Sequence, residues 1–198
     1  NLDLPAAQEK LLDAVAATGK PVIVVLMNGG ALAVNNAQEK AAAVLLAGYP
    51  GQEGGNAVAD VLFGDYNPAG RLPVTYYKSI DQIPAFENYD MNGKTYRFFT
   101  SEPLYPFGYG LSFTSFGYSD LVIPQRAEAG DKIKVSVRVT NTGDRDGEEV
   151  VQLYLTDVKA TTTRPVRQLE GFERIFLKKG ETRVVEFMLE PRQFSVIN

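Results

Sequence analysis

The chain of 198 residues is long enough for two modest domains, because typical domains contain about 100–150 residues. Its 24 acidic and 20 basic side chains form no basic cluster, which argues against a nucleic-acid partner. It has no cysteine and no histidine, so disulfides, thiol chemistry, Cys/His metal sites and histidine-based triads are excluded. No apolar run of about 20 residues is present, and no transmembrane helix is predicted. An acid, base or nucleophile in this chain is expected to be a carboxylate, a tyrosine or a lysine.

The first 47 residues alternate between helical and extended patterns. Pro5 opens a predicted helix, for which Asp3 is the expected cap. The apolar residues at helical spacing are Leu11, Leu12 and Val15. A continuous apolar run at 22–27 predicts a strand buried on both faces, and 41–47 predicts a second short strand. This alternation indicates an α/β fold with a parallel sheet, which we expect to be completed by polypeptide preceding Asn1.

A glycine-rich loop at 50–55 precedes a short amphipathic helix that is predicted to end at Gly64. The apolar side of this helix comprises Val58, Val61, Leu62 and Phe63. A turn at 67–70 then leads into an extended segment at 71–77. Backbone N–H groups of such a loop can bind an anion, but glycines also permit tight packing between a strand and a helix. Because the spacing G-x-G-x-x-G is absent, the packing role is favoured.

Residues 78–112 lack periodicity and are rich in aromatic side chains. These are Phe86, Tyr89, Tyr96, Phe98, Phe99, Tyr105, Phe107 and Tyr109. A long segment without regular structure is usually functional or is packed as a strap across another surface. Anchoring of this strap onto neighbouring domains is the favoured interpretation. The alternative is that the rings line a sugar pocket, since flat rings suit the apolar faces of pyranoses.

From residue 113 the hydrophobic pattern changes to period two. The alternating apolar positions are Ile133, Val135, Val137, Val139, Val151, Leu153, Leu155, Val185, Phe187 and Leu189. Turn signals separate them at 141–144 and at 178–181. This pattern predicts an antiparallel β-sandwich. A further strand is expected to begin at 194–198, so we expect the chain to lack an edge or closing strand.

Two long motifs give the chain a family resemblance. Residues 50–75 read PGQEGGNAVADVLFGDYNPAGRLPVT, and 102–112 read EPLYPFGYGLS. In this order they resemble the C-terminal part of glycoside hydrolase family 3, which comprises β-glucosidases, β-xylosidases and their relatives. The resemblance extends from Leu4 to Phe172 and so covers most of the chain. The wording of 86–99 is most similar to β-xylosidase-like members.

The resemblance implies a division into three parts. Residues 1–77 would be the end of the family's α/β sandwich domain, 78–112 a connecting strap, and 113–198 a fibronectin type III-like sandwich. The parent enzyme would remove terminal β-D-xylose or β-D-glucose from oligosaccharides without a metal or cofactor. It would be secreted or periplasmic, and this chain would pack on a barrel domain that precedes it.

The resemblance also implies that neither catalytic carboxylate lies in this chain. In the family a retaining mechanism pairs an Asp nucleophile on the barrel with a Glu acid/base, and both would precede Asn1. The resemblance assigns no residue here to substrate binding, and the isolated chain is expected to be inactive. The alternative is a non-catalytic structural or carbohydrate-binding module.

Four acids inside the chain are candidates for a catalytic role. Glu53 lies at a helix N-terminus, where the helix dipole favours an ionised carboxylate and hence a capping role over proton donation. Glu87 and Asp90 could reach a neighbouring active site, although solvated loop acids are common. Asp65 is expected to pair with Arg71 or to cap the turn.

Metal and nucleotide sites are not predicted. The acids of the C-terminal region, Asp120, Asp144 and Asp146, are too scattered for a metal site and lack a calcium-loop pattern. The turn at 28–30 follows a strand but lacks the dinucleotide-binding glycine pattern.

Overall fold

The computed structural model describes residues 1–160 and 162–195, which form two compact units by their contacts. Unit 1 consists of Asn1–Tyr66 and Leu72–Tyr109. Unit 2 consists of Asn67–Arg71 and the described part of 110–198. The segment Asn67–Arg71 therefore belongs to unit 2, although unit 1 flanks it in sequence. The division into domains at 77/78 and 112/113 stays a prediction.

Unit 1 begins with an α/β arrangement. Its elements are α1 (Ala6–Ala16), β1 (Ile23–Leu26), α2 (Asn35–Lys40), β2 (Ala43–Leu46) and α3 (Gly54–Phe63). Strands β1 and β2 pair in parallel, with Ile23 opposite Ala43 and Leu26 opposite Leu46. The predicted α/β class, both strands and the helix that ends at Gly64 are confirmed. Helix α2 was not predicted.

The core of unit 1 is small. Its buried members are Leu12, Leu26, Val34 and Ala37. Large apolar side chains of the same elements remain exposed, including Leu11 at 64% and Met27 at 66%. The prediction that the first strand is buried on both faces is therefore wrong within the described residues, since only Leu26 of β1 is buried. The sequence pattern reports the strand, but not how much polypeptide covers it.

The cap predicted for α1 is also wrong. The N-cap is Pro5, and the Asp3 side chain makes no capping hydrogen bond. Instead the Pro5 carbonyl accepts hydrogen bonds from the backbone N–H groups of Gln8 (2.8 Å) and Glu9 (3.2 Å). Because Pro5 already supplies a favourable backbone angle at the entry, the helix begins one residue after it.

The glycines around α3 serve packing and termination. A Cβ at Gly54 would lie 2.6 Å from Cγ of Pro50, so the loop can close on the helix only without a side chain there. At the other end Gly64 has φ of 84°, the left-handed conformation that ends many helices. These contacts agree with the packing role predicted for the glycine-rich loop.

The remainder of unit 1 is mostly irregular. It contains a 3₁₀ turn (Ile80–Gln82) and the short helix α4 (Thr95–Phe98). The segment predicted to be extended, 71–77, forms no regular strand. Leu72 instead exchanges hydrogen bonds with Gly108 and Tyr109 (both 2.8 Å), and the Tyr76 N–H donates to the Tyr105 carbonyl (2.9 Å). Backbone hydrogen bonds thus join the segment 72–76 to the segment 105–109.

The described residues of unit 2 form five antiparallel strands in two sheets. They are β3 (Phe116–Val122), β4 (Ile133–Asn141), β5 (Gly147–Leu155), β6 (Gln168–Leu177) and β7 (Thr182–Leu189). One sheet has the order β3-β4-β7, and the other pairs β5 with β6. The predicted all-β architecture of this region is confirmed.

The core of unit 2 includes several of the alternating positions that the sequence singled out, together with Ile175 and Leu177, which it did not. Its buried members are Val139, Val151, Ile175, Leu177 and Val185, with Val137 and Phe187 packed against them. After β7 the residues Pro191–Phe194 form a 3₁₀ turn. The strand predicted to begin at 194–198 is thus not formed at its first residue, and 196–198 lie outside the described residues.

Candidate functional site

The carboxyl edge of the parallel pair is the first candidate site. Strands β1 and β2 both end at this edge, and they lead into Asn28 and Tyr49 respectively. The Tyr49 side chain is 84% exposed, and its ring covers Gly29 so closely that a Cβ there would lie 2.3 Å from it. Open parallel sheets bind ligands at this kind of edge. Unit 1 thus presents an aromatic ring where such a fold places a ligand.

Glu53, the acid of the glycine loop, occupies the N-cap position of α3 but does not cap the helix with its side chain. Its carboxylate accepts a hydrogen bond of 2.6 Å from the amide of Asn56. The expected capping role is therefore wrong in its detail.

The strap is attached to the same unit. The Asn35 amide at the start of α2 donates a 2.7 Å hydrogen bond to the Lys78 carbonyl, and the Tyr105 hydroxyl donates to Gln38. Leu104 and Tyr105 also pack against the core of unit 1. Because α2 begins shortly after β1 ends, the strap starts on the side of the carboxyl edge.

Most aromatic rings of the strap pack against other rings of unit 1. The ring pairs are Tyr76–Tyr105 (6.2 Å between centroids), Tyr77–Phe99 (5.0 Å), Tyr96–Phe107 (4.1 Å) and Tyr105–Tyr109 (5.4 Å). Burial raises the pKa of the Tyr76, Tyr77 and Tyr105 hydroxyls, so these remain neutral near pH 7. Within unit 1 these rings are structural anchors.

Two rings of the strap are different, because they lie almost entirely in solvent. Phe86 is 93% exposed and Tyr89 is 89% exposed. Glu87 and Asp90, the two acids considered from the sequence, alternate with them along the chain. The acids and the rings are neighbours in sequence, and the structure adds that both rings are exposed.

Three carboxyl groups with a displaced pKa do not resemble proton donors. They are Asp13, Asp144 and Glu181. Hydrogen bonds from Lys40 and Lys179 lower the pKa of the two aspartates, and the Lys178 N–H lowers the pKa of Glu181. A general acid requires the opposite direction. The described residues also contain no group of three or more acids, histidines or cysteines that could hold a metal ion.

Unit 2 contains a buried ion pair that the sequence analysis missed. The Arg71 guanidinium lies 2.6 Å from the Glu149 carboxylate, and both side chains are only 12% exposed. The Tyr118 hydroxyl donates to the other oxygen of Glu149 at 2.9 Å. Burial, with the neighbouring carboxylate, raises the pKa of Tyr118 far above its ordinary range. The expected pairing of Arg71 with Asp65 is therefore wrong, because Arg71 lies in the other unit and finds its partner 78 positions along the chain.

The segment that carries Arg71 is bonded into unit 2 at its first residue as well. Asn67 accepts hydrogen bonds from the Ser112 hydroxyl (2.9 Å) and the Phe113 N–H (2.8 Å). Its amide donates to the Asp146 carbonyl at 3.0 Å. The turn at 67–70 is thus a structural part of the sandwich and not a ligand loop.

Comparison with known families identifies the chain. Residues 1–113 match the glycosyl hydrolase family 3 C-terminal domain. The chain belongs to glycoside hydrolase family 3. Residues 149–198 match the fibronectin type III-like domain, in agreement with the sandwich of this family 3 chain.

Curated relatives extend the family assignment. The chain is 46% identical to a periplasmic beta-glucosidase of Salmonella typhimurium, with 96% of this chain and 26% of the relative covered. It is 45% identical to a xylan 1,4-beta-xylosidase of Xylanibacter ruminicola, with 96% of this chain and 22% of the relative covered. The family 3 chain thus spans about a quarter of the length of the curated relatives it matches.

Solved structures support the same assignment. A beta-glucosidase from Listeria innocua in complex with isofagomine matches with a TM-score of 0.89 and 36% identity, covering 100% of this chain and 29% of that one. A beta-glucosidase from Erythrobacter marinus matches with a TM-score of 0.85 and 42% identity, covering 98% and 26%. Within the described residues of the family 3 chain, no helix is long and apolar enough to cross a membrane.

Proposed function

We propose that the whole protein is an exo-acting, retaining β-glycosidase that removes terminal β-D-xylose or β-D-glucose from the non-reducing ends of oligosaccharides. The main support is that the chain aligns along nearly its full length with beta-glucosidases and beta-xylosidases of family 3. The present chain acts as scaffold, and the two reacting carboxyl groups belong to polypeptide that it lacks.

The chemistry explains why the scaffold lacks the reacting groups. Retention requires two carboxyl groups about 5–5.5 Å apart across the glycosidic bond, one that attacks the anomeric carbon and one that protonates the leaving oxygen. The proton donor needs a raised pKa, whereas the pKa values of Asp13, Asp144 and Glu181 are lowered. In the proposal the acid/base and the nucleophile therefore both precede Asn1.

The preceding barrel domain packs, in this proposal, on the exposed apolar side chains of unit 1. Tyr49 and Phe63 are each 84% exposed, and Met27 and Leu11 are exposed by about two thirds, at 66% and 64%. Patches of this kind on a single chain typically mark an interface. Fibronectin type III-like unit 2 has its own buried core.

The proposed location is outside the cytoplasm, either secreted or periplasmic. The support is the Salmonella relative, which is named a periplasmic enzyme. Fractionation of cells that express the whole protein tests this, and recovery of the protein in the cytoplasmic fraction would contradict it.

The function is tested by comparing the whole protein with the present chain. We expect the whole protein to release xylose or glucose from xylobiose or cellobiose with retained configuration, followed by NMR, and the present chain to release neither. In the whole protein, Glu53→Gln should leave kcat within about threefold, since Glu53 does not donate a proton in this proposal.

Two results would contradict the proposal. One is turnover by the present chain that Glu53→Gln or Glu87→Gln abolishes, because the reacting carboxyl would then lie here. The other is a whole protein that binds oligosaccharides without cleaving them, which would favour a carbohydrate-binding module.

A further inference from the structure

The strap of unit 1 contains a closed surface loop at 84–93, called here the Ω-loop. Its ends meet, because Cγ of Pro84 lies 3.4 Å from the position that a Cβ on Gly93 would occupy. Compact loops with adjacent ends are frequently functional.

The Ω-loop is ordered by its own hydrogen bonds. The Asn88 N–H donates to the Ala85 carbonyl (2.9 Å), and the Asn88 side chain accepts from the Asp90 N–H (2.8 Å). The Asp90 carboxylate in turn accepts from the Asn92 N–H at 3.0 Å. The loop therefore holds its shape without help from another chain.

Thr95, two residues after the loop, fixes the path of the chain as it leaves the loop. Thr95 has φ of 52°, which is rare for a β-branched residue. Its N–H donates to the Tyr77 hydroxyl at 3.1 Å, and the Tyr77 ring packs edge-on against Phe99 at 5.0 Å. Strained residues persist where the surrounding structure holds them, and they cluster at ligand-binding sites.

This ordered loop displays rings and carboxylates together. Phe86 and Tyr89 are 93% and 89% exposed, whereas most other rings of the strap pack against one another. Glu87 and Asp90 alternate with them. A protein-protein interface core is depleted of carboxylates, because burying them without cationic partners is costly. A pyranose suits the same surface, since its faces are apolar and its hydroxyls, at the ring edge, donate hydrogen bonds.

We propose that the Ω-loop binds the leaving-group sugar of the oligosaccharide, with Phe86 and Tyr89 against its faces and Glu87 and Asp90 accepting from its hydroxyls. This inference rests on the proposed function. The sugar that reacts must lie between two carboxyl groups that this chain lacks. The proposed function thus assigns the reacting sugar to polypeptide outside this chain, which leaves the leaving-group sugar as the part of the substrate for this loop to bind.

The test uses the whole protein and two substrates with the same reacting sugar. One is the disaccharide, and the other is the β-glycosyl fluoride, which has no leaving-group sugar. The quantity measured is the ratio of kcat/KM for the disaccharide to kcat/KM for the fluoride. We expect Phe86→Ala/Tyr89→Ala to lower this ratio by about 100-fold, with about tenfold from each ring.

Two further variants serve as controls. Tyr89→Phe keeps the ring and should leave the ratio within about twofold. Phe172→Ala removes a ring that is 69% exposed on β6, and it should not change the ratio. The first control separates the ring from its hydroxyl, and the second separates the loop from exposed aromatics in general.

The outcomes are distinct. A double variant with an unchanged ratio overturns the inference. Equal losses on both substrates, with a lower melting temperature, also overturn it and favour a buried contact with preceding polypeptide. If the unaltered protein cleaves neither substrate, the proposed function fails and the inference fails with it. A selective fall in the ratio supports both.

Discussion

The two units of this chain differ in how completely they bury their apolar side chains. Unit 2 contains several side chains with essentially no exposure, such as Val139 and Leu177 at 0%. In unit 1 Val34 and Ala37 are also at 0%, but the core residues Leu12 and Leu26 keep 8% and 7%, and Tyr49 and Phe63 are each 84% exposed. The sandwich thus buries its large core side chains completely, whereas the α/β unit leaves two of its aromatic rings almost wholly in solvent.

In our proposal the exposed aromatic rings of unit 1 mark where the preceding polypeptide packs. A two-stranded parallel sheet with four-residue strands is rarely stable alone, because parallel sheets are normally covered on both faces. Unit 2 instead closes two antiparallel sheets over its own core. Substitutions in the present chain should therefore cost much in unit 2 and little in unit 1.

The largest expected effect concerns the buried ion pair of unit 2. Arg71→Ala leaves the Glu149 carboxylate buried without its cation, which should lower the free energy of unfolding by about 3–5 kcal/mol. Urea denaturation of the present chain measures it. Arg71→Met/Glu149→Gln should recover most of the loss, because Gln can still accept from Tyr118. A double variant as unstable as Arg71→Ala would show that packing, not charge, is responsible.

The next effect compares one leucine from each unit. Leu177→Ala removes a side chain with 0% exposure, which should cost about 2–5 kcal/mol of unfolding free energy. Leu11→Ala removes one that is 64% exposed in unit 1, which should cost less than about 0.5 kcal/mol. In the whole protein the Leu11→Ala cost should rise, since preceding polypeptide covers that surface in our proposal. Equal costs for Leu11→Ala in both contexts would contradict that packing.

A smaller effect separates two glycines of unit 1. Gly64 has φ of 84°, so Gly64→Ala should destabilise the chain by about 1–2 kcal/mol. Gly55 lies within α3, and a Cβ there would meet nothing within 4 Å. Gly55→Ala should therefore stabilise the chain by up to about 1 kcal/mol. Melting temperatures of the two variants check this, and a shift in the same direction for both would contradict it.

The smallest effect is pH dependence from one surface pair in each unit. Lys40 lowers the pKa of Asp13, and Lys179 lowers the pKa of Asp144, below the ordinary 3.8. A lowered folded-state pKa gives stability that is present above the unfolded value and lost as pH falls through the folded one. The loss should therefore begin below about pH 4. Asp13→Asn and Asp144→Asn should each slightly flatten the fall of melting temperature between pH 7 and pH 2, and a steeper fall would count against the pairs.

Much of the fold could be predicted because its signals are local. The alternation at Val135, Val137 and Val139 reports a strand with one buried face: Val139 lies in the sandwich core, Val137 packs against it, and Val135 is also buried. Gly64 marks the end of α3 because few other residues adopt its backbone angle. Family membership was accessible for a similar reason, since long motifs are contiguous in sequence.

What could not be predicted depends on distant partners or on weak local patterns. Arg71 was assigned to the nearby Asp65, because no sequence pattern reports a partner as far away as Glu149. Helix α2 has only six residues and no apolar periodicity, and Val34 gives it no side-chain cap. Strand β3 was not singled out, since most of its side chains are exposed and it has no buried face to produce an alternating pattern.

The site was predictable only in part, for the same physical reason. Glu87 and Asp90 could be named from the sequence as strap acids. Sequence alone does not tell which aromatic side chains pack together and which stay in solvent. The contrast between Phe86 and the packed ring of Phe107 appears only when the strap is folded.

The membership of Asn67–Arg71 in unit 2 limits how these modules can be exchanged or excised. A gene fragment that starts at residue 113 would encode all five strands but would omit both Asn67 and Arg71. A chimaera made by swapping sandwiches at that junction would then place a foreign turn beneath Glu149. Natural or engineered recombination therefore has to transfer the turn at 67–71 together with the sandwich.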